Sequence, residues 1–311
     1  MQGRSLAEPQ NIHIIQPMKA HSVLLSPRKL AQAMGVSESS IKRWADDGKI
    51  MITRTQGGHR KIQREEAVRF IRERGMKVPF PQHLGLGAVS SAEQDEDSLN
   101  SRLKAALIEG DLLSVQSVVT AFFLSGWSIA SIFDGPFSKA LREIGELWRE
   151  APDDGILIEH RSTTIAINAF EQLRSLLPPP AEDAPLAIGG AIQGDPTMLP
   201  TLVVASVLES QGFRTVNLGA DTPASVFKRA AELHDPALVW LSINHVTDAA
   251  ETTTAVEELV SHLNGEGRQV VIGGRGLKEL SLRQSSGLFF SNTTTEIEAY
   301  TRGFGAKGGR A

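Results

Sequence analysis

The spacing of the apolar residues divides the 311-residue chain into segments of different structural type. Near the N-terminus this spacing predicts two short helices. The first covers 28–34 and ends at Gly35, and Ser37 caps the second. Ile41 and Trp44 share the inward face of the second helix, so we expect both in the core. Two short helices joined by a tight turn are typical of a helix-turn-helix.

Two further elements follow this pair of helices. Residues 50–62 alternate short β-prone stretches around a Gly-Gly pair, which predicts a hairpin wing. An amphipathic pattern over 65–74 predicts a closing helix. We therefore expect a winged helix-turn-helix domain over residues 21–80, preceded by an N-terminal tail over residues 1–20.

The middle of the chain changes character twice. Residues 81–98 are rich in Gly, Ser and acidic side chains, and we interpret them as a linker. Over residues 99–178 the apolar spacing is helical, with interruptions at Gly110, Gly126 and 152–155. This pattern predicts four antiparallel helices that form a bundle.

In the C-terminal part, residues 184–305, short apolar strands alternate with amphipathic helices. This alternation predicts a doubly wound parallel sheet of the Rossmann type, which binds ligands at the carboxyl ends of its strands. The predicted strands are 186–191, 215–218, 237–243, 269–272 and 288–291, and the predicted helices are 199–211, 223–233, 249–263 and 295–303. The expected fold class is multidomain α and α/β: a winged helix-turn-helix, a four-helix bundle and a doubly wound parallel sheet.

Composition restricts the chemistry of the protein. The chain has no cysteine, which excludes disulfides, thiolate metal sites and cysteine nucleophiles. No apolar run approaches the roughly 20 residues of a membrane-spanning helix, and the polar N-terminus lacks the apolar core of a signal peptide. We expect a cytoplasmic protein with no membrane partner.

Charge is distributed unevenly along the chain. Residues 22–80 hold 13 Lys and Arg against 6 Asp and Glu, a net charge of +7, whereas the whole chain carries −4. The other residues therefore carry −11. A basic module attached to an acidic body suits binding of the DNA phosphate backbone by one end of the protein.

The first region contains the runs Ser26-Pro27-Arg28-Lys29-Leu30-Ala31, Gly35-Val36, Ile41-Lys42-Arg43-Trp44 and Gly57-Gly58-His59-Arg60. In these residues it resembles the MerR family of DNA-binding domains. The resemblance implies that the second helix enters the major groove of double-stranded operator DNA and that the wing contacts backbone phosphates or the flanking minor groove. The implied helix contacts are Ser39, Ser40, Lys42 and Arg43, and the implied wing contacts are Arg54, His59 and Arg60. The alternative for Lys42 and Arg43 is a solvated helix surface.

In the sheet region, Leu218-Gly219, Asp221 and Pro223 form a Leu-Gly-x-Asp-x-Pro pattern. In this pattern the rest of the chain resembles the cobalamin-binding module, in which a four-helix cap precedes a doubly wound domain. Methionine synthase and light-responsive MerR-type repressors of carotenoid synthesis contain this module. Ser242 and Gly273-Gly274 lie where the family contacts the buried nucleotide tail, and small residues there let the backbone approach a bulky ligand. Ordinary strand-end turns would explain the same glycines.

Trp148 and the pair Glu159-His160 resemble the residues with which light-responsive relatives cover the upper face of the corrin. Ten residues separate Trp148 from Glu159 in this chain, where the relatives have nine. We expect the additional residue in a turn at 152–155, which need not displace the helix that carries Glu159 and His160. The alternative is that Trp148 and His160 pack in the core of the bundle.

One departure from the family bears on the ligand. The family places a His after the first strand, in an acidic-x-His-x-x-Gly pattern, as the lower axial ligand of cobalt. Here Asp195 is followed by Thr197 at the His position and Pro200 at the Gly position, and threonine cannot supply an imidazole nitrogen. Cobalamin held by a protein His is therefore not expected.

His245 after the third strand, or His160 in the cap, is a candidate metal ligand, although a lone loop His is more often solvated.

These features lead to one expected function and two rivals. We expect a DNA-binding transcriptional regulator, not an enzyme, whose C-terminal module senses a tetrapyrrole or light. The module would control self-association, as a dimer or tetramer, and thereby DNA occupancy. The candidate ligands are cobalamin without a protein lower ligand, haem and biliverdin. One rival is a ligand-independent repressor or adaptor, which Thr197 favours, and the other is a corrinoid methyl-transfer protein.

Overall fold

A computed structural model describes residues 23–87, 96–146, 152–302 and 304 of the chain. The expected N-terminal tail, Trp148 and the middle of the expected linker lie outside these residues. A small antiparallel sheet with helices comes first, a helical region follows, and a parallel sheet flanked by helices comes last. No helix in the described ranges is long and apolar enough to cross a membrane.

The N-terminal region combines three helices with a small antiparallel sheet. Its elements are β1 (Leu24–Leu25), α1 (Pro27–Met34), α2 (Glu38–Asp46), β2 (Thr53–Arg54), β3 (Arg60–Gln63) and α3 (Arg64–Glu73). Strand β3 lies between β1 and β2 and pairs with both. The Ser26 hydroxyl accepts a hydrogen bond from the Lys29 amide and caps α1, and Gly35 ends this helix with a φ of 65°. The predicted start and end of the first helix are thus confirmed.

The inward face of α2 packs against α3. Ile41 is fully buried, and Trp44 is half-buried with its ring centroid 5.3 Å from that of Phe70. Both side chains therefore pack in the core as predicted, although Trp44 keeps part of its surface exposed.

The segment predicted as a linker is partly folded. Pro81–Leu84 forms a short 3-10 helix, and Leu84 and Leu86 are buried in the same core as the N-terminal region. The other end of the segment, from Glu96, begins a helix. The expectation of a linker over 81–98 is therefore wrong at both ends, because two leucines in the Gly-rich stretch find apolar partners.

The described residues between 96 and 174 form a helical region. Its helices are α4 (Glu96–Glu109), α5 (Leu112–Leu124), α6 (Ile129–Ile132), α7 (Ser138–Gly145) and α8 (Pro152–Arg174), and a π turn at Phe133–Phe137 joins α6 to α7. Two predicted interruptions, at Gly110 and Gly126, fall between helices. The third is wrong, because residues 152–155 form the first turn of α8. Proline is well tolerated there, since the first helical amides have no partner within the helix.

The C-terminal region is a parallel sheet with helices on both faces. Its elements are β4 (Leu186–Ala191), α9 (Leu199–Ser210), β5 (Arg214–Asn217), α10 (Ala224–His234), β6 (Leu238–Ser242), α11 (Ala249–Gly265), β7 (Gln269–Gly273), β8 (Leu288–Ser291) and α12 (Thr294–Thr301). The strand order is β5-β4-β6-β7-β8, and every neighbouring pair is parallel. The predicted doubly wound sheet is confirmed. Its order reverses between β4 and β6, so the loops after these two strands, the carboxyl edge, form the usual ligand-binding place of such a sheet.

A single carboxylate joins the helical region to the start of α12. Asp134, in the π turn, accepts hydrogen bonds from the backbone amides of Thr294 and Thr295, at 3.1 and 2.7 Å. It also accepts hydrogen bonds from both threonine hydroxyls, at 2.9 and 2.6 Å. Asp134 therefore satisfies the first amides of α12 from another part of the fold, and its negative charge suits the positive end of the helix dipole.

Two further polar contacts hold the same two regions together. The Arg174 guanidinium, at the end of α8, donates two hydrogen bonds of 2.6 Å to the Glu209 carboxylate on α9. These hydrogen bonds raise the pKa of Arg174. The Ser128 hydroxyl donates to the buried Glu298 carboxylate on α12 at 3.1 Å. The helical region is thus fixed to one face of the sheet by charged and polar contacts as well as by apolar packing.

Replacing Asp134 by Ala should lower the free energy of unfolding by about 1–2 kcal/mol, because the first amides of α12 lose their acceptor. Urea unfolding followed by tryptophan fluorescence measures the change. Glu258→Ala, on the exposed side of α11, is the matched control, and its expected effect is below about 0.5 kcal/mol. Equal stability of the two variants would contradict the role assigned to Asp134.

Candidate functional sites

A cleft on the N-terminal region opens between the start of α1, the outer face of α2 and the turn from β2 to β3. The residues that line it, here called the basic cleft, are Ser26, Pro27, Arg28, Glu38, Lys42, Arg54, Gly58, His59, Arg60 and Lys61. Lysine and arginine outnumber the single glutamate among them. Lys42, Arg54, His59 and Arg60, which the sequence singled out, are therefore brought to one surface.

The outer face of α2 adjoins this cleft. Ser39, Lys42 and Arg43 are exposed, and Ser40 is half-buried. The Ser37 hydroxyl accepts a hydrogen bond from the Ser40 amide and lies 2.8 Å and 2.9 Å from the hydroxyls of Ser39 and Ser40. The three serines form a hydroxyl cluster at the start of α2, and the cations follow one turn later. Such groups can form hydrogen bonds with base edges or phosphates.

Arg60 is already engaged within the protein. Its guanidinium forms an ion pair with Asp46 at 2.7 Å and donates to the Lys42 carbonyl at 3.2 Å. These contacts hold the β2–β3 hairpin against the end of α2. Arg60 therefore helps to position the hairpin, and its contact with a phosphate or the minor groove stays a prediction.

Two cations of the basic cleft were missed in the sequence. Arg28 is exposed in the first turn of α1, and Lys61 is half-buried on β3 beside Arg60. Arg28 follows the capping Ser-Pro pair directly, and this position was the available signal for it. Lys61 carries no comparable signal, because only the pairing of β3 with β2 brings it to the cleft.

Asp195 organises the carboxyl edge of the parallel sheet. Its side chain is fully buried, and its oxygens accept hydrogen bonds from the amides of Thr197 at 2.9 Å and Asn244 at 2.6 Å. The carboxylate thereby ties the loop after β4 to the loop after β6. Several donors on one buried carboxylate compensate the loss of water around its charge.

The predicted departure at Thr197 has a structural counterpart. The Thr197 hydroxyl donates to the Asp195 carboxylate, so this side chain takes part in closing the loop. Pro200 lies in the first turn of α9, where its missing amide hydrogen leaves no hydrogen bond unmade. The position that the resemblance assigns to an imidazole therefore belongs to a self-contained turn.

The small residues at the same edge also serve the chain's own packing. Ser242 is buried and accepts a hydrogen bond from the Asn244 side-chain amide at 2.9 Å. Gly274 has a φ of 122°, and a Cβ atom there would lie 2.1 Å from the Ile243 carbonyl oxygen. Gly273 pairs with Ser242 in the sheet. For Gly274, a close approach of two backbone segments is sufficient to explain the glycine.

A large side chain fills the interior behind the edge. Trp240 on β6 is almost fully buried, and its indole N–H donates to the Thr201 hydroxyl on α9 at 2.9 Å. A Cβ atom at Gly189 would lie 2.1 Å from the Trp240 ring. The space between β4, β6 and α9 is thus occupied by an indole with a satisfied donor.

The candidate cap and metal residues lie on exposed surfaces. Glu159 and His160 are exposed on α8, and His245 is exposed after β6. Across the described ranges, no three His, Asp or Glu side chains come together to hold a metal ion. Neither His160 nor His245 therefore belongs to a multi-ligand metal centre in this part of the chain.

One solved structure shares the architecture of the helical and sheet regions. The monomethylamine corrinoid protein of Methanosarcina barkeri matches with a TM-score of 0.50 and 16% identity, over 68% of this chain and 100% of that one. At this identity the likeness shows the fold alone. A cobalamin-binding protein from Desulfitobacterium hafniense DCB-2 matches with a TM-score of 0.33 and 19% identity, over 66% of this chain and 98% of that one.

Comparison with other sequences extends to the N-terminal region. No family model matches the chain. The HTH-type transcriptional repressor CarA of Myxococcus xanthus is 25% identical over 292 residues, which cover 88% of this chain and 94% of the repressor. This relative is a repressor, in agreement with the expectation of a non-enzymatic protein. Because the match runs along nearly the whole of both proteins, the chain is a homologue of an HTH-type transcriptional repressor.

Proposed function

We propose that this protein is a DNA-binding transcriptional regulator and that residues 21–80 act as a winged helix-turn-helix of the MerR type. The observation that carries the proposal is the basic cleft, in which the start of α1, the outer face of α2 and the β2–β3 hairpin present cations to one side. The homology to a transcriptional repressor supports the same function.

In this proposal α2 enters the major groove. Lys42 and Arg43 on its outer face approach the base edges, and Arg54 on the hairpin contacts the phosphate backbone of the DNA. Glu38 forms an ion pair with Lys42 at 2.8 Å. Both groups are exposed, so this pair is weak and a phosphate can replace the carboxylate. Arg60 contributes by holding the hairpin at a fixed distance from α2.

Replacing Arg43 by Ala should weaken binding to the protein's own promoter DNA by about tenfold or more and reduce the preference for it over unrelated DNA, because a base contact is lost.

Arg54→Ala should weaken binding to both DNAs equally and lower the slope of log affinity against log salt by about 1, because a phosphate contact is lost. Fluorescence anisotropy at several salt concentrations measures both effects.

Arg229→Ala, an exposed substitution on α10, is the control for these two variants, and its expected DNA affinity is that of the unmodified protein. If the arginine at position 43 could be removed without any change in affinity or preference, α2 would not be the recognition element.

We also propose that the protein binds DNA as a dimer or tetramer, since one recognition helix offers too small an interface for tight operator binding. The exposed apolar pair Ile156 and Leu157, which are 48% and 65% exposed on α8, is the candidate surface for this self-association. Glu159 and His160 follow on the same exposed side of this helix.

For the helical and sheet regions we propose a tetrapyrrole ligand, with cobalamin first and haem or biliverdin as the other candidates. The corrinoid fold of this part of the chain and the Glu159-His160 pair support it. Bound cobalamin would supply a light-absorbing cobalt centre. Thr197 cannot ligate cobalt as an imidazole does, and Trp240 fills the space behind the edge. The chain's residues therefore do not fit a cobalamin held from below by a protein side chain.

A second candidate function is favoured by the closure of the carboxyl edge. Asp195, Thr197 and Asn244 satisfy one another, so this edge is complete without a ligand. Such an edge suits a ligand-independent repressor or adaptor whose sheet region serves protein contacts.

An absorption experiment separates these two functions. The protein is incubated in the dark with adenosylcobalamin, haem or biliverdin, passed through a gel-filtration column and measured before and after illumination. A retained chromophore, with an elution volume that changes in light, is the result expected of a sensor, and absence of colour from all three samples would favour the ligand-independent repressor.

Thr197→His should increase the cobalamin retained on gel filtration, because an imidazole beside the Asp195 carboxylate recreates a metal ligand with an oriented ring. Thr254→His, on the exposed side of α11, adds the same group away from the carboxyl edge and should retain no more cobalamin than the unmodified protein. Equal retention by both variants would mean that cobalamin does not lie over the carboxyl edge.

A further inference from the structure

A second cleft lies between the segment that follows α3 and helix α5. Its volume is about 290 Å³. One wall includes Arg72, Met76 and Lys77, and the other includes Ala121, Leu124 and Ser125. The cleft is therefore shared between the N-terminal region and the helical region.

The polar side of this cleft is cationic. The residues that line it in the described part of the chain include Arg72 and Lys77 but no Asp or Glu. The Arg72 guanidinium donates to the backbone carbonyls of Phe123 and Trp127 and lies 3.7 Å from the centroid of the Phe123 ring. Carbonyl oxygens orient this cation without neutralising its charge.

Burial strengthens the electrostatic effect of Arg72. Loss of solvent lowers the pKa of this guanidinium, and the Glu298 carboxylate acts in the opposite direction. A guanidinium stays charged in proteins, so the cleft keeps a partly desolvated positive charge. An anion that enters the cleft gains more from this charge than it would from an exposed arginine.

The remaining surface of the cleft is largely apolar. Met76 and Leu124 are half-buried on opposite walls, and Ala121 leaves space between them. A volume of this size suits a small molecule, and a few polar groups in an apolar pocket select its orientation.

We propose that this cleft binds a small amphiphilic carboxylate, whose charged end faces Arg72 and Lys77 and whose apolar body lies between the two walls. A ligand there contacts both the region that carries the basic cleft and the helical region. It is separate from the carboxyl edge of the sheet, so its binding does not depend on a tetrapyrrole.

Isothermal titration calorimetry with the full-length protein tests the proposal. Octanoate and phenylacetate serve as aliphatic and aromatic carboxylates, and octan-1-ol and octylamine serve as neutral and cationic probes of similar apolar size. We expect one molecule of at least one carboxylate to bind per chain, and octylamine not to bind. The carboxylate that binds more tightly shows whether the cleft prefers an aliphatic or an aromatic ligand.

Lys77→Met should weaken carboxylate binding by about fivefold, since a partly exposed ion pair contributes about 1 kcal/mol. Arg72→Met should weaken it further, and Ala121→Phe should abolish it by filling the cleft while both charges stay. Lys139→Met, on the exposed side of α7, is the matched control and should bind as the unmodified protein does.

Three results would overturn the proposal. The first is that neither carboxylate binds at millimolar concentration. The second is octylamine binding as tight as octanoate binding. The third is carboxylate binding that Lys77→Met leaves unchanged, and this exposed substitution keeps the test valid even if the variants at Arg72 and Ala121 fail to fold.

Discussion

One continuous cluster of buried apolar side chains joins the N-terminal region to the helical region and to α9 of the sheet region. It extends from Leu25 to Val207 in the sequence. Because these side chains share one core, the region with the basic cleft is not a module suspended on a linker. Its last helix, α3, packs against α5. The Arg72 guanidinium on α3 donates hydrogen bonds to two backbone carbonyls at the end of α5 and after it, and these bonds fix the orientation of the two helices. The orientation of α2 is therefore tied to the helical region by packing and hydrogen bonds together.

The carboxyl edge shows how one buried carboxylate defines a candidate ligand site. Asp195 satisfies amides in both loops that form the edge, so removal of this charge would leave buried donors without partners. These hydrogen bonds fix the edge from within the chain itself. Any ligand must then bind to a preformed surface, and its affinity will depend on contacts made outside the Asp195 turn.

Local patterns in the sequence predicted much of this fold. The bounds of β4 and β8 were predicted to the residue, because buried strands flanked by turn residues give a strong local signal. Other features of the fold depend on distant partners. Leu84 and Leu86 look like linker residues until a neighbouring core covers them, and the ion pair of Arg60 depends on Asp46. Gly274 is required by the carbonyl of Ile243, which lies far earlier in the chain, and no local pattern reveals this contact.

The contacts around α6 limit how the sheet region can influence DNA binding. Trp127 accepts from Arg72 through its carbonyl, and the next residue, Ser128, donates to Glu298 on α12, so three regions meet within two residues. Moving α12 away from the helical region would break the hydrogen bonds that Asp134 and Ser128 make with it, each of which contributes about 0.5–1.5 kcal/mol. A ligand that drove this movement would need a preference of the same size for the moved state. Self-association through an exposed face such as that of α8 leaves this junction intact. It can therefore change DNA occupancy at a lower cost in free energy than a movement of α12.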